Sequence, residues 1–264
     1  MKRFGLIGLG NMGGAIARSL AGTRLVEIVG YDPSPAMRQG CGDAVRVAES
    51  GHEVAAWADY VLLAVKPQVM QAVLADLASV LRPETCLVSI AAGVTQAQLS
   101  SWSKNLCPVV RVMPNTPAMV GKGVYALCCD HPGLSAVQRR ELQDIFASIG
   151  QVHILPETLF DAYTGLIGSG PAYVYAFMEA LIDAGVTLGL PRPQAMSMVK
   201  GLLAGASRMA EQDQAHPTLL KEMVTSPGGT TMAGLNALDE HGFRHAVIQA
   251  VCAATQRSIE LGRE

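Results

Sequence analysis

Short apolar runs alternate with amphipathic stretches through the first half of the chain. RFGLIG (3–8), VEIVGYD (26–32), ADYVLLAV (58–65), CLVSIAAG (86–93) and PVVRVMP (108–114) are largely apolar, as expected of strands covered on both faces. Between them, NMGGAIARSLAG (11–22), a short segment from Pro35 to Gly40, PQVMQAVLADLASVL (67–81) and TQAQLSSW (95–102) read as helices. Pro67 suits a first helical position and Thr95 a cap. VRVA (45–48) is a short extended piece, YALCCD (125–130) a further strand, SAVQRRELQDIFASIG (135–150) a helix and QVHIL (151–155) a last strand. Such alternation predicts a mainly parallel sheet with helices on both faces, whose ligands bind at the carboxyl ends of the strands.

The pattern changes near Pro156. AYVYAFMEALIDAGVTLGL (172–190), PQAMSMVKGLLAGASRMAEQ (193–212), TLLKEMV (218–224), TTMAGLNALDEHG (230–242) and FRHAVIQAVCAATQRSIELG (243–262) all read as helices. Several are apolar on more than one face, and this half is too small to bury them all by itself. They form either a compact helical core or a subunit interface. The expected fold class is therefore α/β, with a Rossmann-like domain of alternating strands and helices over 1–156 and an all-α domain over 157–264.

Composition narrows the function classes. The 264 residues suffice for one large domain or two modest ones, and 50% are hydrophobic against 16% charged. A net charge of -2 gives no reason to expect nucleic acid or an anionic membrane as partner. The start, MKRFGLIGLGNMGGAIA, superficially resembles a signal peptide, but Asn11 and the glycines interrupt its apolar run. No stretch is long and apolar enough to be expected to span a membrane. Cys41, Cys86, Cys107, Cys128, Cys129 and Cys252 include no CxxC pair, so buried thiols in a reducing, cytoplasmic setting are expected, with no metal site. Cys128 and Cys129, adjacent in a strand, should point to opposite faces.

Candidate chemistry gathers at strand ends. GLGNMG places Gly8, Gly10 and Gly13 between the first strand and the first helix, the context in which G-x-G-x-x-G binds a dinucleotide pyrophosphate: Gly8 allows the tight turn, Gly10 lets the pyrophosphate approach the backbone, and Gly13 lets helix and strand pack closely. Asn11 and Met12 lie in the same turn. Asp32 ends the second strand and is either a ligand of the ribose 2′-hydroxyl or a turn residue before Pro33; Ser34, just beyond, offers a hydroxyl to a phosphate. Ala64, Val65, Lys66 and Pro67 end the next long strand, where Lys66 is either a solvated lysine or part of the coenzyme rim. Ala91, Ala92 and Gly93 are small enough to admit a flat nicotinamide ring. Asn115, inside MPNTP, belongs either to a rigid turn or to a contact with nicotinamide or substrate. In GSGP (168–171), Ser169 could cap the following helix.

Later, SPGGTT (226–231) offers glycines, hydroxyls and a helix start but no titratable side chain. GLGNMGGAI, AVKPQ, VSIAAGVT, RVMPNTPA, GLIGSGPAYVY, HPTLLKEMVTSPGGTT and GFRHAVIQAV together resemble the pyrroline-5-carboxylate reductases along nearly the whole chain. The resemblance implies reduction of 1-pyrroline-5-carboxylate, a cyclic imine, to L-proline by hydride from NADPH or NADH, the last step of proline biosynthesis. It implies a helical, intertwined homodimer and larger homo-oligomers. It also implies that Ser226, Gly228, Gly229 and Thr230 bind the substrate carboxylate, and that the Thr231 hydroxyl reaches the ring nitrogen. The partner subunit would supply this segment. His153, His216, His241 and His245 are given no catalytic part. A β-hydroxyacid dehydrogenase, the nearest alternative, would need a general base, and PAYVYAFME lacks the lysine those enzymes carry there. A non-enzymatic dinucleotide sensor would keep the glycine turn without needing SPGGTT.

Overall fold

The computed structural model describes residues 1–42, 45–212 and 216–262. Its first half is an eight-stranded sheet: β1 (Lys2–Ile7), β2 (Val26–Tyr31), β3 (Arg46–Val47), β4 (Tyr60–Leu63), β5 (Cys86–Ser89), β6 (Val109–Met113), β7 (Gly123–Cys128) and β8 (Gly150–Ile154). The strands lie in the order β3-β2-β1-β4-β5-β6-β7-β8. β3 to β6 pair in parallel, β6 and β7 pair antiparallel, and β7 and β8 are again parallel to each other. The reversal follows from connection length. Only residues 114–122 join β6 to β7, too few for a helical crossover, and they hold a single 3-10 turn, Thr116–Val120.

Helices α1 (Asn11–Ala21), α2 (Pro35–Gln39), α3 (Gly51–Trp57), α4 (Pro67–Leu77), α5 (Gln96–Trp102) and α6 (Ala136–Ala147) connect these strands. The two faces of the sheet carry separate cores. Phe4, Leu6, Tyr60, Leu62 and Val88 face α1 and α6 residues, whereas Ile7, Val61, Leu63 and Leu87 face α3, α4 and α5 residues. Thr95 caps α5 as expected, with its hydroxyl accepting from Gln98 N and the Gln98 side chain reaching back. Helix α3 is not among the elements the apolar pattern predicts, although Ser50 accepts from Glu53 N and the S-x-x-E spacing marks a helix start.

The parallel register fixes the functional edge. Ile7 stands opposite both Tyr31 and Leu63, and Leu63 stands opposite Ser89. The loops after β1, β2, β4 and β5 therefore emerge at one height. Between β1 and β4 the strand order reverses direction, which is where an open α/β sheet leaves a crevice for a ligand.

Beyond β8 the chain is helical: α7 (Phe160–Tyr163), α8 (Gly170–Thr187), α9 (Arg192–Gln212), α10 (Pro217–Met223), α11 (Thr230–Glu240) and α12 (Phe243–Leu261). The sequence pattern places the change near Pro156 and its first helix at 172–190, with no element expected for the turns of 157–169. There a π-type turn, Thr164–Gly168, closes with Ser169 N donating to Thr164 O at 2.8 Å. Ser169 consequently has helical torsions (φ -84, ψ -20) and does not occupy the extended N-cap conformation expected of it.

The chain divides into two compact units, Met1–Ser169 with Ala253–Glu264, and Gly170–Cys252. In the first, the start of the helical region is anchored to the sheet. Buried Arg111 pairs with Glu157 at 2.8 Å and lies over the Phe160 ring, while Gln96 N also donates to Glu157. The second unit has a small buried cluster, Ile182, Ala195 and Val199. Its Tyr175, Met198, Leu202, Met209, Met223, Val247 and Ile248 are exposed large apolar side chains.

Among the described residues the cysteines form no disulfide. Cys128 and Cys129 belong to cores on opposite faces of the sheet, as their adjacency predicts. Burial pushes the Cys107, Cys128 and Cys129 thiols up to about 11. Cys252 departs from the expectation of burial and is exposed.

Candidate active site

The glycine-rich turn is built by close contact. Gly8 has φ +98, and a Cβ there would lie 2.6 Å from Ala64 O. At Gly13 a Cβ would lie 2.1 Å from Gly8 O and 2.9 Å from Ala64 Cβ. Small residues at 8, 13 and 64 thus let α1 begin directly against the ends of β1 and β4. Gly10 differs: its φ of -64 suits any residue, and a Cβ would meet nothing within 4 Å. The protein's own packing does not require glycine at 10. The space beside it belongs to whatever approaches the turn.

The groups around that space suit an anion. Gly10 is the N-cap of α1 and supplies no side-chain acceptor, and no acidic residue occupies the first turn. The first amides of α1, at Asn11, Met12 and Gly13, therefore lack intrahelical partners and present the positive end of the helix dipole. A dinucleotide pyrophosphate fits this donor set and the open space at Gly10.

Asp32 follows β2 and is engaged by the backbone. Its Oδ2 accepts from Leu9 N and its Oδ1 from Ser34 N, each at 2.8 Å. The turn-residue alternative therefore describes what its carboxylate does within the protein. Ser34 is the N-cap of α2, with no side-chain capping bond. Ala64 and Val65 are partly buried after β4. Lys66 is exposed at the N-cap of α4, and Pro67 is its first residue.

After β5, Ala91 is buried, Ala92 is exposed and Gly93 turns with φ +75. Ala92, Gly93 and Pro67 line a cavity of about 580 Å3 with Trp102, Ser258 and Gly262, all within the first unit. Sequence reasoning did not include the last turns of α12 in this wall. Ser258 is held there by its hydroxyl donating to Asp161 Oδ1 at 2.7 Å. Asn115 is buried, and its Oδ1 accepts from Val124 N at 3.0 Å, fixing the start of β7. Its amide NH2 is the end left for other contacts.

The SPGGTT segment lies in the second unit. Gly229 N donates to Ser226 O at 3.1 Å across Pro227 and Gly228, and Gly228 has φ +69. Pro at the second place and a positive-φ glycine at the third make this a type II turn. At Gly229 the φ of -79 is ordinary, and a Cβ there would come 2.4 Å from Ser226 Oγ, a hydroxyl that can rotate aside. Gly229 caps α11 without a side-chain bond, leaving the amides of Thr230, Thr231 and Met232 as the first-turn donors. Of the two glycine amides, that of Gly229 is used by the turn itself. Thr231 is half-buried and Thr230 exposed.

The histidines have structural surroundings. His216 is the N-cap of α10, its Nδ1 accepting from Thr218 N. His241 ends α11, with Nδ1 2.9 Å from Ala237 O. His153 lies on β8 and His245 in α12.

Comparison with known proteins converges on one family. Residues 157–261 match the model for pyrroline-5-carboxylate reductase dimerisation, and residues 3–93 match the NADP oxidoreductase, coenzyme F420-dependent model. The chain is 38% identical to the pyrroline-5-carboxylate reductase of Escherichia coli (strain K12), over 99% of both chains. It is 40% identical to that of Synechocystis sp., again over 99% of both. Among solved structures it resembles the Plasmodium falciparum pyrroline carboxylate reductase with NADP bound, with a TM-score of 0.88, 32% identity, and coverage of 99% of this chain and 98% of the other.

Proposed function

This chain belongs to the pyrroline-5-carboxylate reductase family and reduces 1-pyrroline-5-carboxylate to L-proline with NAD(P)H, the last step of proline biosynthesis; from that premise we propose which of its residues carry the reaction. The observation that bears most weight is Gly10, where the protein leaves space at a helix start that no packing of its own requires. The pyrophosphate sits there, on the amides of Asn11, Met12 and Gly13. Ala64 to Pro67 and the shelf of Ala91, Ala92 and Gly93 take the nicotinamide end, and the amide NH2 of Asn115 orients it. The coenzyme supplies a hydride when bound.

The substrate needs little activation. A protonated C=N bond is already electrophilic at carbon, so no strong base has to abstract a proton. What remains is to hold the ring at near-attack distance and to balance its charge. The turn of Ser226 to Gly229 presents the open amides of α11 to the substrate carboxylate, an anion site with no titratable group. Thr231, in the first turn of α11, offers its hydroxyl to the ring nitrogen. Hydride adds to the imine carbon, the C=N pair moves to nitrogen, and the nitrogen keeps its proton as the amine of proline.

The family's dimerisation region covers 157–261, and the chain forms homo-oligomers. We read the assembly unit as a dimer formed through the helical domain of 157–264, with the dinucleotide-binding domain over 1–156. The partner subunit's substrate turn then completes the site. The exposed apolar side chains of the second unit support this reading. Among the described residues no helix is long and apolar enough to cross a membrane. With free cysteines throughout, we place the enzyme in the cytoplasm.

The test is direct. Purified protein mixed with pyrroline-5-carboxylate and NADPH or NADH should consume the reduced nicotinamide and form proline. Absence of turnover with both coenzymes would overturn the assignment. Light scattering at micromolar concentration should give a multiple of the chain mass, and a monomer there would remove the dimer.

A further inference from the structure

An acidic residue at the end of the second strand of such a fold ordinarily selects NADH, by binding the ribose 2′-hydroxyl and repelling a 2′-phosphate. Here the surroundings of Asp32 point elsewhere. Both carboxylate oxygens are already tied to the chain, Oδ2 to Leu9 N and Oδ1 to Ser34 N. Leu9 is the residue between Gly8 and Gly10, so the first of these bonds grips the middle of the pyrophosphate turn. The grip is reinforced at two further points. Gly8 N donates to Tyr31 O at 2.8 Å, and the Leu9 side chain covers Gly30 so closely that a Cβ there would lie 2.8 Å from Leu9 Cδ2.

A cation is held at the same strand end. Arg38, half-buried on α2, donates from Nη1 to Asp32 O at 2.6 Å and to Pro33 O at 3.3 Å. Its guanidinium carbon lies 5.9 Å from the Tyr31 ring centroid. The cation is thus fastened to two backbone carbonyls after β2 by one nitrogen, and a guanidinium has five donors in all. A 2′-phosphate reaching the end of β2 would meet a fixed positive charge and the free hydroxyl of Ser34 alongside the Asp32 carboxylate.

We propose that Asp32 is a positioning residue that shapes the glycine-rich turn, and that Arg38 sets the choice between NADPH and NADH. The inference rests on the reductase reading of that turn. It separates two properties the position normally combines. Loss of Asp32 loosens the Leu9 amide and weakens the pyrophosphate seat that both coenzymes share. Loss of Arg38 removes the guanidinium donors not spent on the carbonyls of Asp32 and Pro33, which of the two coenzymes only NADPH, with its 2′-phosphate, can use.

Steady-state kinetics with pyrroline-5-carboxylate, and fluorescence titration of NADPH and NADH without substrate, test this on the full-length protein, Asp32→Asn, Asp32→Ala and Arg38→Gln. The two Asp32 variants should raise KM and Kd for both coenzymes by about tenfold while kcat at saturation is kept. Their NADPH-to-NADH ratio of kcat/KM should stay within about twofold of the parent. Arg38→Gln should weaken NADPH by about tenfold or more and leave NADH in place. A shift of the ratio toward NADPH by about tenfold in either Asp32 variant would overturn the proposal, as would equal losses for both coenzymes in Arg38→Gln. Should Asp32→Ala fail to fold, the other two variants carry the same outcomes. A parent protein that binds both coenzymes yet turns over with neither would refute the reductase assignment and leave the binding titrations to decide the roles of Asp32 and Arg38.

Discussion

Gly10 and Gly13 belong to one motif, yet the structure predicts opposite consequences for adding a methyl group to each. In Gly13→Ala the new Cβ would lie 2.1 Å from the Gly8 carbonyl oxygen, more than an ångström inside ordinary contact, with Ala64 Cβ on its other side. Backbone has to move, so α1 must lift from the sheet, at a cost of roughly 1–3 kcal/mol or more. For a chain of this size each kcal/mol lowers the thermal midpoint by about 2–4 °C. In Gly10→Ala the methyl meets nothing within 4 Å. The entropy it removes from the unfolded chain, about 0.4–1 kcal/mol, is offset by the weaker N-cap, so stability stays near that of the parent. The methyl does fill the space assigned to pyrophosphate. Loss of one charge-assisted hydrogen bond there is worth about 1.5–3 kcal/mol, or roughly 10- to 150-fold in Kd. Scanning fluorimetry without coenzyme, followed by NADPH titration of each variant, separates the two. A Gly10→Ala protein that binds NADPH as the parent does would refute the placement of the pyrophosphate, and a Gly13→Ala protein of parental stability would refute the packing argument.

Thr231→Ala should lose turnover by about 1–3 kcal/mol, roughly 5- to 150-fold in kcat, with NADPH binding retained; unaltered kcat would remove its proposed contact with the ring nitrogen. Glu157→Ala leaves the buried Arg111 guanidinium without its carboxylate and frees Gln96 N, so the thermal midpoint should fall by several degrees, whereas a parental midpoint would show that the pair contributes nothing. Burial raises the Asp59 carboxyl, but the hydrogen bonds and charge of Arg3 outweigh it and hold the group below its ordinary 3.8. A carboxyl lowered by folding stabilises the protein above its unfolded value and loses that contribution as the pH falls through the folded one. Acid titration of unfolding should therefore be shallower below about pH 4 in Asp59→Asn than in the parent, and coincident curves would contradict the sign.

Much of this architecture is legible in residue order because burial writes itself into composition. The apolar runs at 3–8, 58–65 and 86–93 mark strands covered on both faces, and the capping signals at Thr95 and Pro67 open the helices they predict. What is less legible has physical causes. Strand direction leaves no trace in an apolar run, so the reversal of β7 has to be inferred from the shortness of residues 114–122. The Ser50 and Glu53 cap of α3 was available but lay in a segment of mixed polarity. Gly168, Ser169 and Pro171 read as a helix start, and nothing in their spacing announces the wide turn of Thr164–Gly168 that sets the torsions of Ser169. At the site, the glycine spacing gives Gly13 to close helix–strand packing and Gly10 to an approaching ligand, and the structure has Gly13 pinned against Gly8 O and Ala64 and open space at Gly10. Asp32 is the sharpest case. Its identity suggests a ribose ligand, and only its neighbours, Leu9 N and Ser34 N, show the carboxylate engaged by the chain itself.

The polypeptide leaves the first compact unit at Ser169 and rejoins it at Ala253, so the helical unit is an insertion secured at both ends. Clipping one of those crossings does not free the piece. The other crossing remains covalent, and the returning residues stay fastened through Ser258 and Asp161. A protease ladder showing two fragments on a denaturing gel should therefore still run as one particle on a native sizing column, and the boundary between the units has to be mapped by cutting both crossings at once.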